Sequence, residues 1–217
     1  VVEIGDATKL SRLEDNTIDY ILTDPPYGEA IQYSELSLVW NCWLRQTYLA
    51  KNEIIVNPEQ DKNPETYSSL LNAFIIEASR VLRPNATMTI SFHSKDIELW
   101  CNLARSLYES GFDLADLYIS QGVGSPFTKN WAKFSPKSDI YITILNSRTT
   151  GRKLVESSGQ EFIQSLSKHT LDMSSNQQQL YDFIVLATID KTMSGTYLSG
   201  LHQKNMSSLL TMLATAL

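Results

Sequence analysis

The chain has 217 residues, 42% of them hydrophobic, with a formal net charge of −6. That size suits one sizeable α/β domain plus an appendage, and the composition excludes large-scale disorder. No apolar run is long enough to span a bilayer and no signal segment is present, so a cytoplasmic location is expected. The overall charge repels a polyanion, which leaves any nucleic-acid contact to local basic segments. Cys42 and Cys101 stand far apart with no Cys-x-x-Cys pair, which reads as two reduced thiols and no zinc site.

Val1-Val2-Glu3-Ile4-Gly5-Asp6 reads as a short strand ending at a Gly-Asp turn. It opens without an initiator Met, so the chain is expected to be a piece of something longer. Ser11 to Asn16 is expected to form a short helix or helical turn, and Asp19 to Thr23 a buried strand. The strand runs into Thr23-Asp24-Pro25-Pro26-Tyr27. Neither proline has an N–H for a sheet ladder, and each biases its predecessor toward extended geometry, so the strand must end in a stiff loop. Asp24 brings a carboxylate, the loop carbonyls are uncommitted, and Tyr27 brings a flat ring. The same residues also fit a plain turn in which Asp24 caps and Tyr27 packs. Asp6 and Asp24 both fall just past strand ends, which in an open parallel sheet is the ligand edge.

Leu36 to Leu44, with Trp40 and Trp43, is expected to be a helix packed beside this loop. Lys51 to Pro64 reads as a long mobile loop, either a lid, a nucleic-acid contact or a plain insertion. Thr66 to Leu82 has one apolar face at three- and four-residue spacing and is the clearest helix, ended by Arg83-Pro84-Asn85. Thr87 to Phe92 follows as a strand, then His93, then Ser94 as the cap of a second helix closed by Gly111. His93 lies at the same edge as the two acids, where it either approaches a substrate or serves as a hydrogen-bonded structural residue. Phe112 to Ser120 and Ile140 to Leu145 read as two more strands. Between them lies a loop carrying Lys129, Trp131, Lys133, Phe134 and Lys137, which either touches a phosphate backbone or is a solvated surface loop. After Asn146 the composition shifts to Ser, Gln and Thr, with helical spacing in Glu161 to Leu166, Gln177 to Ala187 and Met206 to Leu217. His169 and His202 have no ligand-spaced partners. The expected division is residues 1–148 as a catalytic portion and 149–217 as a helical appendage.

Thr23-Asp24-Pro25-Pro26-Tyr27 resembles the Asp-Pro-Pro-Tyr signature of S-adenosylmethionine-dependent amino-methyltransferases, especially the N6-adenine DNA methyltransferases. Gly5-Asp6-Ala7, Tyr33-Ser34-Glu35-Leu36, Trp40 to Arg45 and Arg80-Val81-Leu82-Arg83-Pro84 look like prokaryotic adenine-specific DNA methylases, and the similarity covers about Val1 to Asn146. The resemblance implies a Rossmann-like methyltransferase sheet, S-adenosylmethionine as cofactor and DNA as partner, without a metal. It implies catalytic roles for Asp24, Pro25, Pro26 and Tyr27, and cofactor contacts from Asp6, Ala7 and Asp24. Lys129, Trp131, Lys133 and Lys137 would then meet nucleic acid. The Gly-rich turn with which the family holds the methionine end of its cofactor is not found, so the sheet is expected to be partial. Its first strands and that turn would come from an upstream segment or a second chain. Asp at position 24 leans toward adenine, since the family's cytosine enzymes more often carry Ser and its glutamine enzymes Asn. A methyltransferase acting on another amino group and a non-catalytic module of the same fold are the alternatives.

Overall fold

The computed structural model describes residues 5–45, 50–121, 138–149, 151–167, 177–201 and 208–209. In chain order its elements are β1 (Ile18–Thr23), α1 (Tyr33–Trp43), α2 (Pro64–Val81), β2 (Leu82–Phe92), α3 (Ile97–Glu109), β3 (Phe112–Gln121), β4 (Ser138–Asn146), β5 (Val155–Ser158), α4 (Gly159–Ser167), α5 (Gln177–Met193) and β6 (Thr196–Ser199). The class is α/β, as expected. A mixed four-stranded sheet has the order β1-β2-β4-β3, and β5 and β6 form a separate parallel pair. β1 runs parallel to β2, while β4 is antiparallel to both β2 and β3.

The alternation of β4 explains its place between two strands. Ile140, Ile142 and Ile144 are buried, and the residues between them are half-buried. Together with Met88, Ile90 and Phe92 of β2 they belong to the core, which also includes Tyr67, Phe74 and Ile75 of α2 and Trp100, Leu103 and Leu107 of α3. Tyr181, Ile184 and Val185 of α5 join the same core. The Trp100 indole N–H donates to the Ser94 carbonyl and to the Tyr181 hydroxyl, both at 3.0 Å, so its polar atom is satisfied within the apolar interior.

α2 starts at Pro64, two residues before the expected Thr66. Asn63 accepts the Thr66 N–H at 2.8 Å, and Pro64 occupies a first-turn position where no N–H is needed. α3 is capped by Asp96, whose Oδ1 accepts the Glu98 N–H, rather than by the expected Ser94, whose hydroxyl oxygen accepts the Asp96 N–H. Gly111 follows α3 with φ +88°, the left-handed geometry that a glycine adopts freely.

Residues 11–16 form turns, the second of the two forms expected there, held by Leu13 N–H to the Leu10 carbonyl, with Asn16 at φ +61°. Several expectations are corrected. β1 is an edge strand rather than a buried one: among the described residues it pairs only with β2, and Leu22 is 67% exposed. α1 leaves Trp40 and Trp43 exposed, stacked edge-to-face on each other at 5.5 Å instead of packed beside the loop. β2 begins at Leu82 and absorbs Arg83-Pro84-Asn85. An irregularity carries the pairing from Ile18–Leu82 to Tyr20–Thr87, so the proline sits where the ladder is already broken. Beyond residue 149, β5 and β6 add strands to a region expected to be helical. Both cysteines are free, Cys42 exposed and Cys101 half-buried with its thiol pushed up to about 12 by burial.

One buried side chain locks α2 to the sheet. Asn146 is fully buried at the end of β4, and its amide donates to the Ser79 carbonyl at 3.0 Å and the Leu82 carbonyl at 3.1 Å. Those acceptors stand at the turn from α2 into β2, where Arg148 also donates to them, at 3.3 Å and 3.0 Å. Asn146→Ala is expected to lower unfolding free energy by about 2 kcal/mol, read as a lower urea midpoint at unchanged slope.

Candidate active site

The loop after β1 is held by hydrogen bonds from outside itself, because its two prolines have no N–H to contribute. Tyr67, fully buried on α2, donates its hydroxyl to the Pro26 carbonyl at 2.7 Å. The same hydroxyl is hydrogen-bonded to the Gly28 backbone, and burial pushes its pKa well above the usual range. The Gly28 carbonyl accepts the Val56 N–H at 3.1 Å. Gly28 itself is left-handed, with φ +65°, and a Cβ there would stand 3.1 Å from Leu99 Cδ1. Conformation and space therefore both call for glycine at this step.

The segment from Lys51 to Pro64 is the second support, held by buried residues rather than mobile as expected. Glu53, Ile54, Ile55, Asn57 and Lys62 are buried. Glu53 Oε1 accepts the Ser34 N–H at 2.9 Å, capping α1 from a distance where Gln32 makes no side-chain cap. Asn57 donates to Gln32 Oε1 at 2.8 Å and to Glu35 Oε1 at 2.9 Å, and Lys62 Nζ donates to the Glu53 carbonyl at 2.8 Å. Counted by its polar letters the segment looks solvated; Glu53, Asn57 and Lys62 are instead buried and spent on internal hydrogen bonds.

Asp24 stands exposed at the end of β1, and the Tyr27 hydroxyl donates to its Oδ1. Burial and the neighbouring Asp24 carboxylate hold the Tyr27 phenol well above its ordinary pKa. The Tyr27 ring meets Phe92 edge-on at 5.3 Å and His93 at 6.0 Å. Pro25 is buried and Pro26 half-buried. Tyr27 also lines a cavity of about 490 Å³ with Gly28, Val56, His93, Ser94 and Leu99. Its ring thus belongs to the cavity wall while its hydroxyl belongs to the acid.

Asp6 is a turn residue whose carboxylate is largely committed. It accepts from the Thr8 N–H at 2.9 Å, the Thr8 hydroxyl at 2.7 Å and Asn52 at 2.6 Å. Burial pushes its pKa up, but these donors outweigh burial and leave it below the usual value. Ala7 is exposed in the same turn. Asn52 adjoins Glu53, and both Glu53 and Asp24 raise the Tyr33 hydroxyl after burial does. The structure therefore ties Asp6 to the segment that carries Glu53 through the Asn52 side chain, a connection that sequence spacing does not reveal. Lys129, Trp131, Lys133 and Lys137 lie outside the described residues, as do Val1 to Ile4, His169 and His202. Among the described residues no group of three or more His, Cys, Asp or Glu is placed to hold a metal ion, and no helix is long and apolar enough to cross a membrane.

Sequence reasoning missed Tyr67 and Glu53. Tyr67 reads as one more apolar position of α2; the available signal is that a tyrosine at the centre of a buried helix face needs a partner for its hydroxyl. Glu53 has no local signal, since its partner is 19 residues away.

No family model and no curated protein matches the chain. Solved structures with a likeness to it include DNA methyltransferases. PvuII DNA methyltransferase, cytosine-N4-specific, is 14% identical with a TM-score of 0.43, the match covering 70% of this chain and 50% of that one. TTHA0409 of Thermus thermophilus, a candidate DNA modification methylase complexed with S-adenosyl-L-methionine, is 14% identical with a TM-score of 0.42 over 76% of this chain and 63% of that one. M1.HpyAVI, in a SAM complex, is 15% identical with a TM-score of 0.37 over 70% and 57%. The match spans less than two thirds of each of these chains, and at such scores the reading of function rests on the residues of the site.

Tyr67→Phe removes the donor to the Pro26 carbonyl while keeping the ring. It is expected to cost about 1–2 kcal/mol in urea unfolding and to speed amide exchange at Tyr27 and Gly28. Exchange unchanged at those two amides would contradict the tether.

Proposed function

We propose that this chain transfers a methyl group from S-adenosylmethionine to the exocyclic N6 amine of an adenine flipped out of DNA. The observation that carries the reading is Asp24-Pro25-Pro26-Tyr27 at the carboxyl end of a parallel strand, fixed by Tyr67, with an exposed carboxylate and an aromatic ring bordering a cavity. On this reading 1–148 is the catalytic portion of a cytoplasmic enzyme and 149–217 its appendage.

The donor set suits a cofactor that carries a cationic sulfonium and an adenine amine. Asp24 is an exposed acid, and Glu53 keeps a buried carboxylate oxygen, Oε2, without a hydrogen-bond partner. Asp6 retains acceptor capacity beyond its three donors. Asp6, Ala7 and Asp24 would hold the cofactor, with its methionine end completed by an upstream segment or a second chain. When bound, the cofactor supplies an electrophilic methyl group.

The residues of the chain act on the base. Its amine is a poor nucleophile because the lone pair is delocalised into the ring. Asp24 and the Pro25 carbonyl accept its two hydrogens and favour the pyramidal nitrogen as charge develops. In the structure the Tyr27 hydroxyl occupies Asp24, so the amine replaces the phenol as the donor to that carboxylate. Released from it, the Tyr27 ring stacks on the flipped base. In-line attack is then mainly a matter of positioning. Lys129, Trp131, Lys133 and Lys137 supply backbone and stacking contacts to DNA on this reading, offsetting the net charge of −6.

Asp24→Ala is expected to reduce methyl transfer to DNA by about 10²–10³-fold, the scale of losing one donor or acceptor aimed at developing charge. Because Asp24 is exposed, the urea midpoint should stay within error of wild type. Transfer within a few-fold of wild type would contradict the assignment.

A further inference from the structure

α1 turns its polar side inward. Ser34 is buried, Ser37 and Asn41 are half-buried, and the three share one face of the helix. Asn41 Nδ2 donates to Ser37 Oγ at 3.1 Å, and Ser37 Oγ donates to the Ser34 carbonyl at 3.2 Å. Glu53 accepts the Ser34 N–H at 2.9 Å and Gln60 donates to the Ser34 hydroxyl oxygen at 3.3 Å. The outward side is apolar: Leu36, Val39, Trp40 and Trp43 recur at three- and four-residue spacing and are all exposed. From Leu36 to Leu44 the chain carries no charged side chain. An 11-residue helix is marginal by itself and is ordinarily held by burial of its apolar face, so this stripe calls for a second surface.

We propose that the stripe is the contact between two copies of this chain, their α1 helices lying antiparallel across a two-fold axis at Trp40. Two observations select a second copy as the occupant. The first is area. At the roughly 250 Å² that a tryptophan can bury, Trp40 and Trp43, exposed to 61% and 75%, present roughly 300 Å² by themselves. Leu36, Leu38, Val39 and Leu44, each at least 60% exposed, bring the helix toward the roughly 800 Å² per partner of a standard interface. An apolar patch of that size is rare on a chain that stays single. The second observation is charge. Glu35 stands at one end of the uncharged run and Arg45 at the other, both exposed, with Trp40 midway between them. Antiparallel pairing brings Glu35 of each copy to Arg45 of the other, whereas parallel pairing sets like charges together at both ends. It also aligns opposite ends of the two helix dipoles. The contact is self-complementary, so it closes at two copies. It stands apart from the methyl-transfer reading and does not depend on it.

Sedimentation equilibrium of the full chain, from about 1 to about 100 µM, tests the contact. The expected result is a monomer–dimer equilibrium with a micromolar dissociation constant, the weak end for an interface of this size. Trp40→Glu puts two carboxylates on the axis and is expected to leave a monomer at every concentration. Because Trp40 is exposed, the urea midpoint of the dilute, monomeric variant should match that of the dilute wild type, which separates loss of contact from loss of fold. Arg45→Glu sets like charges at both ends and is expected to weaken the dimer about tenfold. Adding Glu35→Arg to it reverses both ends and should bring the dissociation constant back to within about threefold of wild type. Asn57 keeps Gln32 as an acceptor when Glu35 is replaced, so the loop that Asn57 braces is not lost with it. A wild-type chain monomeric at the highest concentration, or one that grows past two copies, would overturn the proposal. So would association that survives Trp40→Glu, or a charge swap that fails to restore it.

Discussion

The hydrogen bond from Tyr67 to the Pro26 carbonyl is the constraint on which the site depends. Pro25 and Pro26 stiffen the loop but strip it of donors, so it can be held only through its carbonyls or by the residues after it. Tyr67 does both, from a position with no solvent exposure, by serving Pro26 and Gly28 with one hydroxyl. The Tyr27 ring is placed against Phe92 and His93, and its hydroxyl reaches Asp24. A core helix thus sets the geometry of a surface acid that lies just before the prolines it grips.

That arrangement matters more because β1 has a partner on one side only among the described residues. A strand at the centre of a sheet is fixed by two ladders; β1 has one, and its pairing with β2 is irregular near its start. The positioning burden passes to the segment from 51 to 64, which connects Gly28 through Val56, Gln32 and Glu35 through Asn57, and Ser34 through Glu53. Buried polar residues there form a network in which nearly every donor has an acceptor, the kind of arrangement that rigidifies when satisfied. Glu53 Oε2 and Gln60 Oε1 are exceptions within it, buried acceptors without a hydrogen-bond partner.

Much of the sheet was legible because its strands alternate or run apolar and its helices keep one face, as in β4 and α2. The turn that positions Asp24 was legible because proline chemistry is local. What escaped the sequence is non-local. Residues 51–64 looked mobile because polar letters do not say whether their partners are water or each other. Trp40 and Trp43 looked like part of a helix packed beside the loop, yet on α1 they remain exposed. Ser94 looked like a cap because it precedes a helical pattern, but the helix starts two residues later and Asp96 serves. Tyr67 was visible as a hydrophobic position and invisible as a hydrogen-bond donor, since only the folded chain brings α2 within 2.7 Å of Pro26.

The most direct measurement is nucleoside mass spectrometry after the full chain is incubated with methyl-deuterated S-adenosylmethionine and a mixture of DNA and RNA. The account predicts label in N6-methyldeoxyadenosine from the DNA. Label in N4-methyldeoxycytidine or in RNA nucleosides would contradict the adenine assignment. No label in any nucleoside, from a chain whose calorimetric titration shows it binding the cofactor, would contradict the transfer reaction itself.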